Sequence, residues 1–166
     1  MPMRQMIKAT VSKNKLMLSL DIDRQYSQED LPPDNELKQW AAMAYLGDSP
    51  AEAALLIVDE AAMQILNRDY RHIDKSTNVL SFPANLSEVD GITHLGDIVI
   101  CAPIITLESQ QQSKNINAHW AHMLIHGMLH LQNYDHGNDD EAQAMESIEI
   151  KQLAKLGISN PYIPSQ

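Results

Sequence analysis

Cysteine is almost missing from this chain of 166 residues: the one thiol, Cys101, excludes an internal disulfide and agrees with a reducing compartment. Positive charge is scarce too. Twelve Lys and Arg stand against 22 Asp and Glu, a formal net charge of −10 with histidine neutral. That balance excludes broad, non-specific affinity for nucleic acid, so any such role needs a local basic patch. No run approaches the ~20 apolar residues of a membrane span. The stretch Met1 to Lys15 mixes basic and polar residues without the apolar core of a signal peptide. Low-complexity runs, repeats and linkers are also lacking. With apolar residues at 44% and charged residues at 20%, the expectation is one globular domain over residues 1–166, soluble and cytoplasmic, without a membrane partner. Cys101 lies in the apolar run Ile98-Val-Ile-Cys-Ala102 and reads as a packed thiol rather than a reactive one.

Histidine is abundant in one place. His119, His122, His126 and His130 form a stripe between Asn117 and Leu131, and His136 follows. A step of four on a helix returns a side chain to nearly the same face, so His126 and His130 can hold one ion together. Three such histidines in succession span about 12 Å of rigid helix, too far for bonds of about 2 Å to a single ion. A third ligand must come from beyond a break. His136 would point roughly 120° away from His130 on an unbroken helix. Gln132-Asn133-Tyr134 offers the break, because Asn tolerates the left-handed conformation that ends helices. Three neutral imidazoles with an open fourth position form the donor set of a catalytic zinc. His119 and His122 read as packing residues or as supports that orient a ligand. Asp135 reads as a group that orients a ligand histidine or caps the turn; as a fourth protein ligand it would instead close a structural site.

One residue is missing from this segment. Zincin proteases carry Glu, their general base, directly after the first helix histidine, and here that position is Gly127. A protease mechanism has lost its base.

The remaining pattern predicts an α+β or α/β fold, a small mixed sheet of about four strands covered by about five helices. Alternation places a strand at Leu16 to Ile22, and the continuous apolar run Ala53 to Val58 reads as a strand buried on both faces. Asn78 to Phe82, closed by Pro83, and Gly96 to Ala102, stopped by Pro103, supply two more, with a polar loop over Ala84 to His94 between them. Helices are expected from a cap at Asp34 or Asn35 to about Leu46, from Ala61 to about Arg71, from about Ile104 to Gln112, and over the histidine stripe. The last helix is capped by Asn138, carries Asp139, Asp140 and Glu141 at its positive end, and stops at Gly157. Its face of Met145, Ile148, Leu153 and Leu156 reads as core.

The densest basic patch is Arg68, Arg71, His72 and Lys75, which surface solvation alone could explain. Three motifs change that. Ala118-His-Trp-Ala-His-Met-Leu-Ile-His-Gly-Met-Leu-His-Leu-Gln-Asn-Tyr-Asp-His136 resembles the signature of the YbeY endoribonucleases, bacterial rRNA maturation factors. Leu66-Asn-Arg-Asp-Tyr-Arg71 through Asp74-Lys-Ser-Thr-Asn-Val-Leu-Ser-Phe-Pro83 resembles the family's second motif, and Leu95-Gly-Asp-Ile-Val-Ile-Cys101 its buried strand. The likeness runs from about Leu55 to Ile163. It implies a zincin-like fold, which narrows the class to α+β, and one Zn2+ per chain on His126, His130 and His136. It also implies cleavage of single-stranded RNA at the 3′ end of small-subunit rRNA, a part in ribosome quality control, and the ribosomal particle as partner, with no DNA substrate. The family's motif arginine corresponds to Arg71. Where the family usually has Gly before Tyr-Asp-His, this chain has Asn133, which keeps the left-handed option open.

A phosphodiester needs positive charge near its developing oxyanion, and Arg71 can bind phosphate with two donors. Arg68 and Lys75 would flank it as substrate-binding residues. The nucleophile stays open between a metal-activated water and the RNA 2′-hydroxyl. Two other readings compete: a metallohydrolase of small-molecule or peptide substrates, and a non-catalytic ribosome-assembly factor with a structural metal.

Overall fold

The computed structural model describes residues 17–28, 30–85 and 88–163. The start of the expected first strand at Leu16, and the stretch Met1 to Lys15, lie outside the described residues. Five strands and five helices follow one another: β1 (Leu18–Arg24), α1 (Asp34–Ala44), β2 (Ala51–Val58), α2 (Glu60–Arg71), β3 (Val79–Pro83), β4 (Glu88–Val89), β5 (Ile92–Cys101), α3 (Ala102–Gln111), α4 (Ile116–Leu131) and α5 (Asp139–Lys155). The sheet runs β1-β2-β5-β3, with β4 also on β5. β1, β2 and β5 are parallel, while β3 and β4 run antiparallel to β5. The α+β class and the mixed sheet agree with the sequence reading.

The strand count corrects it. Ala84 to His94 is not a plain loop, because β4 and the start of β5 form a hairpin pairing Val89 with Ile92. Its two-residue turn is Asp90-Gly91, both at positive φ (54° and 78°), the conformation that matches the twist of paired strands. β5 therefore starts at Ile92 rather than Gly96, with a bulge where Glu52 and Ala53 pair with His94 and Gly96. Other boundaries shift less. Asp34 opens α1 instead of capping it, since its carboxylate is taken by Arg24 at 2.7 Å, and the helix ends at Ala44, before Leu46. Pro103 sits in the first turn of α3, where a missing N–H costs nothing.

Packing places α4 at the centre. Eleven of its sixteen residues are buried, so it touches neighbours all round rather than on one stripe. Leu18, Leu20, Leu55, Ile57, Ile98 and Ile100 of the sheet meet Trp120, Leu124 and Met128 of α4, with α1 and α5 closing the core. Each large side chain fully buried there contributes about 1.5–3 kcal/mol of transfer free energy. The other sheet face carries only a small cluster, Val58, Met63, Leu80, Val99 and Cys101, under α2. β2 accordingly alternates buried and half-buried residues and is not covered equally on both faces. Cys101 is fully buried, and burial pushes its thiol pKa up, which suits a packed group.

Candidate metal centre

The end of α4 makes the site. Gln132 caps the helix, and Asn133 follows at φ 71°. The Asn133 N–H donates to the His130 carbonyl and the Tyr134 N–H to the Leu129 carbonyl, each at 3.1 Å, the paired bonds of a Schellman turn. The turn throws His136 back towards the helix. One nitrogen each from His126, His130 and His136 then lies within 4.8 Å of the others, a set that could hold a metal ion.

Hydrogen bonding fixes how two of these rings are turned. His130 Nδ1 lies 2.9 Å from the Tyr134 carbonyl, which can only accept, so Nδ1 carries the proton. His126 Nδ1 lies 2.5 Å from Oε1 of Glu149, a carboxylate with no exposed surface. Burial pushes the Glu149 pKa up, but hydrogen bonds from His122, His126 and Tyr162 overcome it and pull the value down to about 2. Glu149 is therefore ionised and accepts as well. Both Nε2 atoms are left as bare lone pairs, 3.1 Å apart. Burial, then the nearby His126 and His136, lower the His130 pKa and keep that ring neutral. Two facing acceptors repel unless a cation lies between them, and their spacing is close to the roughly 3.3 Å edge of a tetrahedron built on 2.0–2.1 Å Zn–N bonds. The donor set fits a zinc ion.

The other expected residues have partners of their own. His122 Nε2 lies 3.2 Å from Glu149 Oε2, so it shares the carboxylate that orients His126. Asp135 is not in the cluster; its Oδ1 accepts from the His136 N–H at 2.7 Å, a turn cap. His119 Nε2 meets Glu108 at 2.9 Å, away from the cluster. Ser81 joins Arg71 to α4: the Ser81 carbonyl accepts from Arg71 Nη2 at 2.6 Å, and the Ser81 hydroxyl donates to the Gly127 carbonyl at 3.2 Å. The Arg71 guanidinium also lies over Phe82, 5.3 Å from the ring centroid, and Tyr70 packs edge-on against the same ring. Arg68 pairs with its neighbour Asp69 at 3.0 Å, which offsets much of its charge. Lys75 is exposed in the loop after α2, where its carbonyl accepts from Asn67.

Gly127 is tightly enclosed. A Cβ there would stand 2.9 Å from Ile98 Cγ2 and 3.3 Å from Ser81 Oγ. The position that carries Glu in zincin proteases is occupied by the sheet.

Glu149 and Tyr162 were missed by sequence reasoning. The signal for Glu149 was available: it sits four residues from both Met145 and Leu153, on the buried stripe of α5. A charge on a core stripe needs a partner.

The sequence model of the YbeY endoribonucleases matches residues 21–157. This chain belongs to the YbeY endoribonuclease family. It is 45% identical over 145 residues to the Cellvibrio japonicus endoribonuclease YbeY, covering 86% of this chain and 82% of that protein. The Pseudomonas fluorescens and Pseudomonas putida proteins of the same name are 46% and 47% identical over 148 residues, covering 88% of this chain and 97% and 94% of theirs. As a family member it is an endoribonuclease, a hydrolase of RNA phosphodiester bonds. The solution structure of TM1509 from Thermotoga maritima shares the fold at a TM-score of 0.53 and 20% identity, over 87% of this chain and 99% of that one. Among the described residues no helix is long and apolar enough to cross a membrane.

Proposed function

We propose that this endoribonuclease is zinc-dependent, cuts single-stranded RNA, and acts in the cytoplasm on the 3′ end of small-subunit rRNA, with ribosome quality control as part of the same role. The observation that carries the metal reading is the pair of bare Nε2 lone pairs of His126 and His130 facing each other at 3.1 Å, with His136 beside them. These three residues would hold one Zn2+, which would supply a Lewis acid for a phosphate oxygen and a fourth position for an exchangeable ligand. Arg71 is fixed by Ser81 and Phe82 and keeps further N–H donors for the phosphate and its developing charge. Arg68 and Lys75 extend the patch along the backbone of the strand.

So small a patch on an acidic chain favours a flexible strand over a stiff duplex whose phosphates are held apart. Choice of one rRNA end would then come from the ribosomal particle that presents it. Peptide hydrolysis is disfavoured because Gly127 has no room for the missing base. The test offers a single-stranded rRNA tail, a matched duplex and a small peptide to the zinc-loaded protein. Cutting confined to the single strand is expected. Equal cutting of the duplex would refute the substrate, and hydrolysis of the peptide alone would replace the reading with a metallopeptidase.

A further inference from the structure

We propose that Glu149, held by Tyr162 and His122, is the positioning residue of the metal centre: it turns His126 so that Nε2 faces the cluster and thereby sets how tightly the ion is bound. This rests on the metal-site reading above. Glu149 has no exposed surface and stands between the buried Met145 and Leu153 of α5. A buried ionised group is costly, and an apolar residue of similar size is often as stable in its place or more so. The charge therefore needs a reason other than stability.

Its partners supply one. Oε1 accepts from His126 Nδ1 at 2.5 Å, and Oε2 accepts from the Tyr162 hydroxyl and lies 3.2 Å from His122 Nε2. A carboxylate on the far nitrogen fixes a ligand ring's tautomer and orientation and raises its basicity. His130, by contrast, is oriented only by the neutral Tyr134 carbonyl. The two ligands on α4 are thus held by different means, and His126 is the stronger donor.

Tyr162 carries the inference to the surface. It is 43% exposed, follows α5 in the stretch 157–163, and lines an open cleft of about 930 Å³ shared with His119 and His122. The Ile158 N–H on the Leu153 carbonyl turns the chain at the end of α5, the Tyr162 N–H on Asn160 Oδ1 shapes the stretch itself, and the Tyr162 hydroxyl ties it to Glu149 and His122. Tyr162, beyond α5, therefore belongs to the metal centre without being one of its three proposed ligands.

The experiment measures the Zn2+ dissociation constant by chelator competition, the visible spectrum of the Co2+-substituted protein, and the thermal midpoint. It compares the full chain with His126→Ala, Glu149→Gln, Glu149→Asp and Tyr162→Phe. Glu149→Gln keeps the size and removes the charge; it should weaken binding about 10- to 100-fold. Tyr162→Phe removes one hydroxyl from a half-exposed ring and should weaken binding about three- to tenfold and shift the Co2+ bands, while the thermal midpoint shows the chain still folded. If Glu149→Gln does not fold, Glu149→Asp and Tyr162→Phe decide. Dissociation constants within twofold of the parent in the folded variants, with His126→Ala devoid of metal, would overturn this inference and leave the metal site standing. Full occupancy in His126→Ala would overturn the metal-site reading itself, and the inference with it.

Discussion

Two pairs of histidines share helix α4 and meet opposite fates. His126 and His130 have Nδ1 anchored, on Glu149 and on the Tyr134 carbonyl, and turn Nε2 towards each other. His119 and His122 are the reverse. Their Nε2 atoms are tied to Glu108 and Glu149, and among the described residues their buried Nδ1 atoms have no hydrogen-bond partner. Spacing along the helix is nearly the same in both pairs. On the proposed metal reading, what separates a ligand from a structural residue is which nitrogen the protein occupies, because only the other remains to bind an ion.

The largest effect should come from removing a ligand. His126→Ala, His130→Ala or His136→Ala is expected to reduce bound metal from about one ion per chain to none, whereas His119→Ala should keep it; elemental analysis after dialysis checks both halves. If His119→Ala emptied the site, the distinction between the pairs would collapse.

Arg71 comes next. Arg71→Ala should lower the rate of RNA cleavage about 100-fold at unchanged metal content and melting temperature, and Arg71→Lys should recover only part of it. Metal loss or unfolding in Arg71→Ala would make the residue a strut between α2 and β3 instead.

Stability should then separate the pairs from the other side. His119→Ala leaves Glu108 without its imidazole partner and should cost about 1–3 kcal/mol in denaturant unfolding. Acid should expose a related effect in metal-free protein. Burial lowers the pKa of His119 and of His130 from the ordinary 6.5, so the unfolded chain takes up protons that the folded chain refuses. Stability should be full above 6.5 and fall as pH drops below it. Glu149, lowered to about 2 from 4.5, adds a second loss between those values. A pH series of melts with and without zinc should show the metal opposing the first loss; a flat profile down to pH 5 would remove the claim.

The smallest effect is electrostatic. RNA affinity should fall with salt at a log–log slope of only about two to four, mostly through Arg68, Arg71 and Lys75. Because Asp69 already pairs with Arg68, Arg68→Ala should change the slope less than Arg71→Ala does.

Much of this was legible in sequence where local chemistry decides conformation. The step of four, Asn133 as the left-handed stop, and the Asn138 and Gly157 ends of α5 all rest on interactions within a few residues, and the helix ends follow them. The Asp90-Gly91 hairpin is equally local, with Val89 and Ile92 flanking the turn, but β4 is only two residues long and exposed, too short for an alternating pattern to show. Other features depend on distant partners. Asp34 or Asn35 reads as the cap of α1, but Pro33 takes the cap position and Arg24 claims the Asp34 carboxylate from ten residues away. Glu149 looked like one polar residue on a core helix until α4 and the chain end closed over it. Ser81 stands in the second motif, but its role in linking Arg71 to Gly127 depends on α4 packing beside β3 and is not local.

Gly127 closes a route as well as a gap. A glutamate there would have to push α4 away from Ile98 and Ser81, and the hydrogen bond from Ser81 to Gly127 would break with the separation. Arg71 rests on that same serine, and His126 adjoins that same glycine. The substitution that would supply proteolysis with its base would thus disturb the contacts of Arg71 and His126, the residues proposed to serve RNA cleavage. Crowding at this one position stands against adding a protease's base here, and a designer seeking a peptidase in this scaffold would have to begin by repacking Ile98 and Ser81.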